Sequence, residues 1–109
     1  MAFCEILASR VRDELIDKDY YSEKRMFGGL AFMLNGNMVC AIVGDDLVVR
    51  VGIDSYEECL EKDNADVFNI TGKVMRGWVI VKGDTLNIRK DLLHWVSIGV
   101  NFCLTLPVK

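Results

Sequence analysis

One proline and one histidine occur in 109 residues, and neither sign of charge dominates. The scarcity of proline, with charged residues held to 27%, excludes an extended proline-rich or charge-swollen disordered chain. A single histidine, His94, with four scattered cysteines (Cys4, Cys40, Cys59 and Cys103) excludes a zinc site of the usual paired spacing and leaves no C-x-x-C redox pair. No basic excess exists: 13 Lys and Arg face 16 Asp and Glu, a net charge of −3. Unaided DNA binding rests mainly on neutralising phosphates, so direct nucleic-acid binding is disfavoured. No P-loop and no G-x-G-x-x-G is present; Gly28-Gly29 lacks the Lys-Ser/Thr or the helix that would make it a phosphate loop. No uncharged apolar run reaches 18 residues without interruption, since His94, Ser97, Asn101 and Thr105 break the nearest one, Leu92 to Val108. The first residues lack the basic and apolar regions of a secretory leader. The expectation is a cytoplasmic protein with free thiols, no membrane partner, no cofactor and no metal.

What is present is apolar and patterned. Hydrophobic residues make up 51% of the chain, enough for the core of a single domain over residues 1–109. Phe3, Ile6, Leu7, Val11 and Leu15 recur at helical spacing and predict a helix over 3–17. Apolar runs at 30–34 and 38–43 flank Asn35-Gly36-Asn37, a hairpin signal, and a third run at 47–51 follows Gly44-Asp45-Asp46. A short strand at 24–27 opens this meander, and Gly28-Gly29 predicts a bulge or tight bend after it. Ser55-x-x-Glu58 has the capping-box pattern and predicts a short helix over 56–62. The stretch to Asn69 reads as polar. A strand at 75–81 places Trp78 and Ile80 on one face, Val79 and Val81 on the other, and a helix over 91–106 ends before Pro107. The fold class is therefore α+β: an antiparallel β-meander sheet of about 4–5 strands, with long N- and C-terminal helices and one short helix.

Both hairpin strands are apolar on both faces. Leu30, Phe32 and Leu34 alternate with Ala31 and Met33, and Met38, Cys40 and Ile42 with Val39, Ala41 and Val43. An antiparallel strand with one wet face alternates apolar and polar residues. Both faces are expected to be covered, in part by a partner or a second copy, as in a homodimer. The last helix is polar only along His94, Ser97, Asn101 and Thr105, so it is expected to be central or to meet a partner.

No arrangement of residues marks a catalytic site. His94 lacks an adjacent nucleophile and reads as part of a polar stripe, and Cys40 in mid-strand reads as core. The acidic groups at 13–19 and 57–63 read as solvated helix faces. Arg25, Arg50 and Arg76 stand beside or within apolar strands. Arg50 shares a face with Val48, and an arginine on a sheet face needs internal pairing, a stack on Trp78, or a partner. Arg25, Arg50, Arg76 and Trp78 are the candidate partner-binding residues. Two alternatives stand beside the protein-interaction reading: a small anionic-ligand site or cryptic enzyme with its pocket at the Gly28-Gly29 bend beside Arg50, and direct nucleic-acid binding.

Several segments resemble one family. Arg25-Met26-Phe27-Gly28-Gly29, the hairpin around Asn35-Gly36-Asn37, Leu47-Val48-Val49-Arg50-Val51-Gly52 and Thr71-Gly72-Lys73-Val74-Met75-Arg76-Gly77-Trp78 are together similar to the N-terminal domain of the TfoX/Sxy competence-regulator family. The resemblance runs from about Ser9 to Pro107, in order. It implies an α+β domain without catalytic activity and with a regulatory role. Full-length members are bacterial activators of DNA-uptake genes that act with the cyclic-AMP receptor protein. They carry a second, helical domain, and this chain reads as a stand-alone N-terminal domain. The function expected is a non-enzymatic regulatory protein-interaction module whose partner belongs to the transcription machinery.

Overall fold

The protein was analysed as a computed structural model that describes residues 3–26, 28–70 and 72–108. Phe27, the expected end of the first strand, and Thr71 of the last resembling segment lie outside the described residues. The order of elements is α1 (Glu5–Leu15), β1 (Tyr21–Met26), β2 (Gly29–Leu34), β3 (Asn37–Val43), β4 (Asp46–Arg50), α2 (Ile53–Leu60), β5 (Ala65–Ile70), β6 (Lys73–Val81) and α3 (Arg89–Cys103), with a short 3₁₀ turn at Gly83–Thr85. The strands form one antiparallel sheet in the order β1-β2-β3-β4-β6-β5. The α+β class and the meander follow the sequence reading. The described residues add one strand, β5, where a polar stretch was expected. Asp66 and Asn69 dilute its β signal, yet Phe68 is buried and fixes the strand at the sheet edge.

The β2–β3 turn explains itself. Asn35 and Gly36 both have positive φ, 56° and 79°, as a two-residue turn with the sheet's own twist requires. Asn37 already belongs to β3. It is buried, and its Nδ2 donates to the Pro107 carbonyl at 2.9 Å, which ties the end of the chain to the hairpin. The β2–β3 register shifts after Phe32: Phe32 pairs with Cys40 but Met33 with Met38, so Val39 is an extra residue. This bulge corrects the expected alternation. Val39, Cys40 and Ile42 all join the helix-side core, and Met38 joins Ala41 on the other face.

All three helices contribute to one core and therefore cover one sheet face. Helix α1 buries Leu7, Ala8, Val11 and Leu15, while Ile6, expected on its inner stripe, is 75% exposed because it sits one position off that face. Helix α3 lies on β3 and β4, with α1 beside it, and α2 packs on β6. Helix α2 starts three residues before its expected start. Its N-cap is Gly52 at φ +85°, with no side-chain capping bond, and Ser55 falls inside the first turn, so the capping-box pattern is not used. Helix α3 ends at Cys103, short of Leu106. The amides of Thr105 and Leu106 bond three residues back in a tightened last turn, and the Thr105 hydroxyl donates to the Phe102 carbonyl at 2.6 Å.

No helix joins the second core, yet that face is not open. Ala31, Ala41 and Val48 are fully buried at its centre, with Met38 and Phe68 nearly so. Met26, Met33, Met75, Trp78 and Ile80 lean over them. The expectation that both faces are covered holds. The inference that a partner must complete the second face does not, because small residues at the centre let the longer side chains around them close it.

An ion cluster fastens the edge strand. Arg12 of α1 holds Glu23 of β1 through Nε–Oε2 at 2.5 Å and a second bond of 2.9 Å, and the Tyr21 hydroxyl donates to the same carboxylate. The bonds from Arg12 hold the Glu23 carboxyl below its usual range. A depressed carboxylate stabilises the fold above its unfolded pKa and loses that contribution as pH falls through the folded value. Glu23→Gln is expected to cost about 1 kcal/mol at neutral pH. It is also expected to flatten the fall in Tm between about pH 5 and pH 3. Calorimetry across that range checks both; parallel curves for variant and wild type would contradict it.

Candidate functional site

Arg50 ends β4 and lies opposite Trp78 of β6. Two irregularities shape the surroundings. The β5–β6 register shifts by several residues between Val67–Val79 and Asn69–Val74, which bunches residues 75–78 around Gly77, whose φ is +90°. The Gly77 carbonyl accepts from the amides of both Val51 and Gly52, at 2.9 and 3.0 Å, and so pins the β4–α2 connection against the bulge. A Cβ on Gly52 would lie 2.4 Å from the Phe102 ring, so only glycine lets Phe102 of α3 reach this corner.

The guanidinium of Arg50 sits between two rings, 5.2 Å from the centre of Trp78 and 5.4 Å from that of Phe102. Stacking of this kind holds a planar cation while leaving its edge N–H groups for other acceptors. Among the described residues no carboxylate pairs with Arg50; the ion pairs are Arg12–Glu23 and Arg89–Glu14. Of the two internal solutions foreseen for this arginine, the stack on Trp78 is the one adopted. Arg76, on the bulge, lies over Tyr56 of α2 at 6.0 Å.

Arg25 stands elsewhere. It pairs with Leu30, which pairs with Ile42, which pairs with Leu47. Arg50 is three residues further along β4, about 10 Å along the strands and about 14 Å across them from Arg25. Arg25 also lies on the helix side, over Phe3 at 5.4 Å. The structure thus brings Arg50, Trp78 and Arg76 to one corner and leaves Arg25 at the far end. The same register separates Gly28-Gly29 from Arg50, so the pocket proposed between them does not exist. The space beside Arg50 is instead an open groove of about 640 Å³ on the helix side, lined by Gly52, Ile53, Ser55, Ile98, Asn101 and Phe102.

Phe102 and Tyr56 were not legible as partners of the arginines, since 52 and 20 residues separate each pair in sequence. The methionines were legible but unnoticed: four of the five, Met26, Met33, Met38 and Met75, belong to or lean on the second-face core beside Trp78. Methionine adapts to irregular partners, and surfaces rich in it bind varied ones.

Cys40 is fully enclosed, and burial pushes its thiol far above the usual range. Burial raises Cys59 and Cys103 as well. His94 is exposed, and its ring meets that of Trp95 edge-on, centroids 5.6 Å apart. Among the described residues no three His, Cys, Asp or Glu side chains gather as a metal site, and no helix is long and apolar enough to cross a membrane.

Residues 13–103 match the family model described as the TfoX N-terminal domain. No curated protein and no solved structure matches the chain.

Proposed function

The chain belongs to the TfoX N-terminal domain family, and from that premise we propose that it is a non-enzymatic regulatory module that binds another protein. The contact is centred on Arg50 and Trp78, with Arg76 at the rim. One observation carries this reading. Arg50 is held by two aromatic rings and has no carboxylate partner among the described residues, so its donors are oriented toward other acceptors. The fitting partner presents an acidic group between apolar side chains, the first for Arg50 and the second for Trp78 and the neighbouring methionines. The negative net charge favours a protein partner over nucleic acid. The resemblance to competence regulators supports a partner in the transcription machinery, and four free thiols suit the cytoplasm.

Arg50→Ala tests this. Loss of the two stacks is expected to lower stability by about 1 kcal/mol, a fall in Tm of about 4–8 °C. Capture of the partner from host lysate is expected to fall at least about tenfold, because the removed donors leave the acceptor unpaired. Unchanged capture by a folded variant would refute the role of Arg50. A collapse of Tm would make the residue structural.

A further inference from the structure

We infer that Met33 and Met75 form an oxidative modification site, where a peroxide converts two thioethers to sulfoxides and so withdraws the apolar half of the contact at Arg50 and Trp78. The inference rests on the reading of that corner as a binding surface and adds its regulation. Four of the five methionines belong to or lean on the second-face core. Met38 is 7% exposed, whereas Met26, Met33 and Met75 are half-buried. Phe32, Cys40 and Val49 stand in line across β2, β3 and β4. One residue further on, Met33 and Arg50 are level with each other, two strands or about 10 Å apart. Met75 belongs to the bulge that carries Trp78. Met26, one residue beyond Arg25 on β1, stands at the far end of the sheet.

The structure reverses the usual order of attack on sulfur. A peroxide reacts first with accessible thiolates, but Cys40, Cys59 and Cys103 are 5% exposed or less. Burial also raises all three, which keeps them as protonated thiols. Cys4 is half-buried on the helix side, where it caps α1 by accepting from the Leu7 amide at 3.5 Å. A thioether has no proton to lose, so its reaction needs only access. The sulfur lone pair attacks a peroxide oxygen, the O–O bond breaks, the S–O bond forms, and hydrogen peroxide leaves as water. A methionine sulfoxide reductase reverses the step: the sulfoxide oxygen leaves as water and a dithiol is oxidised to a disulfide. The sulfoxide puts a strong acceptor into an apolar surface. Burying it against a partner's apolar side chain leaves that acceptor unbonded, which weakens the contact.

Titration of the full chain with hydrogen peroxide, read by peptide mass spectrometry, tests the site. Sulfoxide is expected at Met33 and Met75 at least about tenfold faster than at Met38, with Cys40, Cys59 and Cys103 still reduced. Capture of the partner by the treated chain, freed of peroxide, is expected to fall at least about tenfold and to return with reductase and dithiothreitol. The double variant Met33→Leu, Met75→Leu conserves volume and is expected to keep capture through the same treatment, although Met26 is still oxidised. Cys4→Ser is expected to lose capture on treatment as the wild type does, because the thiol plays no part. Earlier reaction at Met38 or at the three buried cysteines overturns the inference, as does a leucine variant that peroxide silences like the wild type. If the untreated chain captures nothing, the reading of the Arg50 corner fails, while the order of sulfoxide formation still decides the modification site.

Discussion

Gly29→Ala is expected to destabilise the protein by about 3 kcal/mol, a fall in Tm of about 12–24 °C. Gly29 opens β2, and an added Cβ would lie 2.0 Å from the Ile42 carbonyl oxygen and 3.3 Å from the Val43 Cα. Both are backbone atoms of the neighbouring strand β3, so neither can swing aside as a side chain would. The β2–β3 ladder must separate at this end, and Phe32 and Leu30 behind it lose their packing. The adjacent glycine gives the control. Gly28 has open space around the same position but a φ of +73°, so alanine there meets only the left-handed penalty of about 1–2 kcal/mol. Thermal unfolding of the two variants should rank them in that order; the reverse order would contradict the described β2–β3 register.

Gly99→Ala is the second large effect, and its sign separates two arguments. Gly99 lies in mid-helix, where alanine is the better helix former by about 1 kcal/mol. The structure opposes that gain. The added Cβ would sit 2.7 Å from the Val39 carbonyl oxygen and 3.0 Å from its Cγ1. Val39 is the bulge residue of β3, and α3 rests on it. The expected outcome is a net loss of about 2 kcal/mol, read as a lower midpoint in urea. A gain in stability would mean that α3 does not lie this close to the sheet.

These two glycines also mark where the sequence was readable and where it was not. Gly28-Gly29 is visible as punctuation, and Asn35-Gly36 as a hairpin, because turn chemistry acts over a few neighbouring residues. The long helices were visible through their period. Their ends were not, since hydrogen bonds such as that of Thr105 to the Phe102 carbonyl decide them. The bulges at Val39 and at 75–78 were hidden because they depend on pairing between strands, and the one at Val39 decides which side Met38 faces. The misread cap at Ser55 has the same origin: tethering of the Val51 and Gly52 amides by Gly77 starts α2 earlier than its local pattern suggests. At the candidate site, Arg50 and Trp78 stood out as a cation and a ring on apolar strands. Phe102 could not, because only the packing of α3 across β4 brings it there.

Hydrogen exchange of the protein alone and with its captured partner tests the central claim most directly. New protection is expected at the amides of 49–52 and 75–79, around Arg50 and Trp78, with the Arg50→Ala variant showing none. Protection confined to other segments, with 49–52 and 75–79 exchanging as in the free protein, would contradict it.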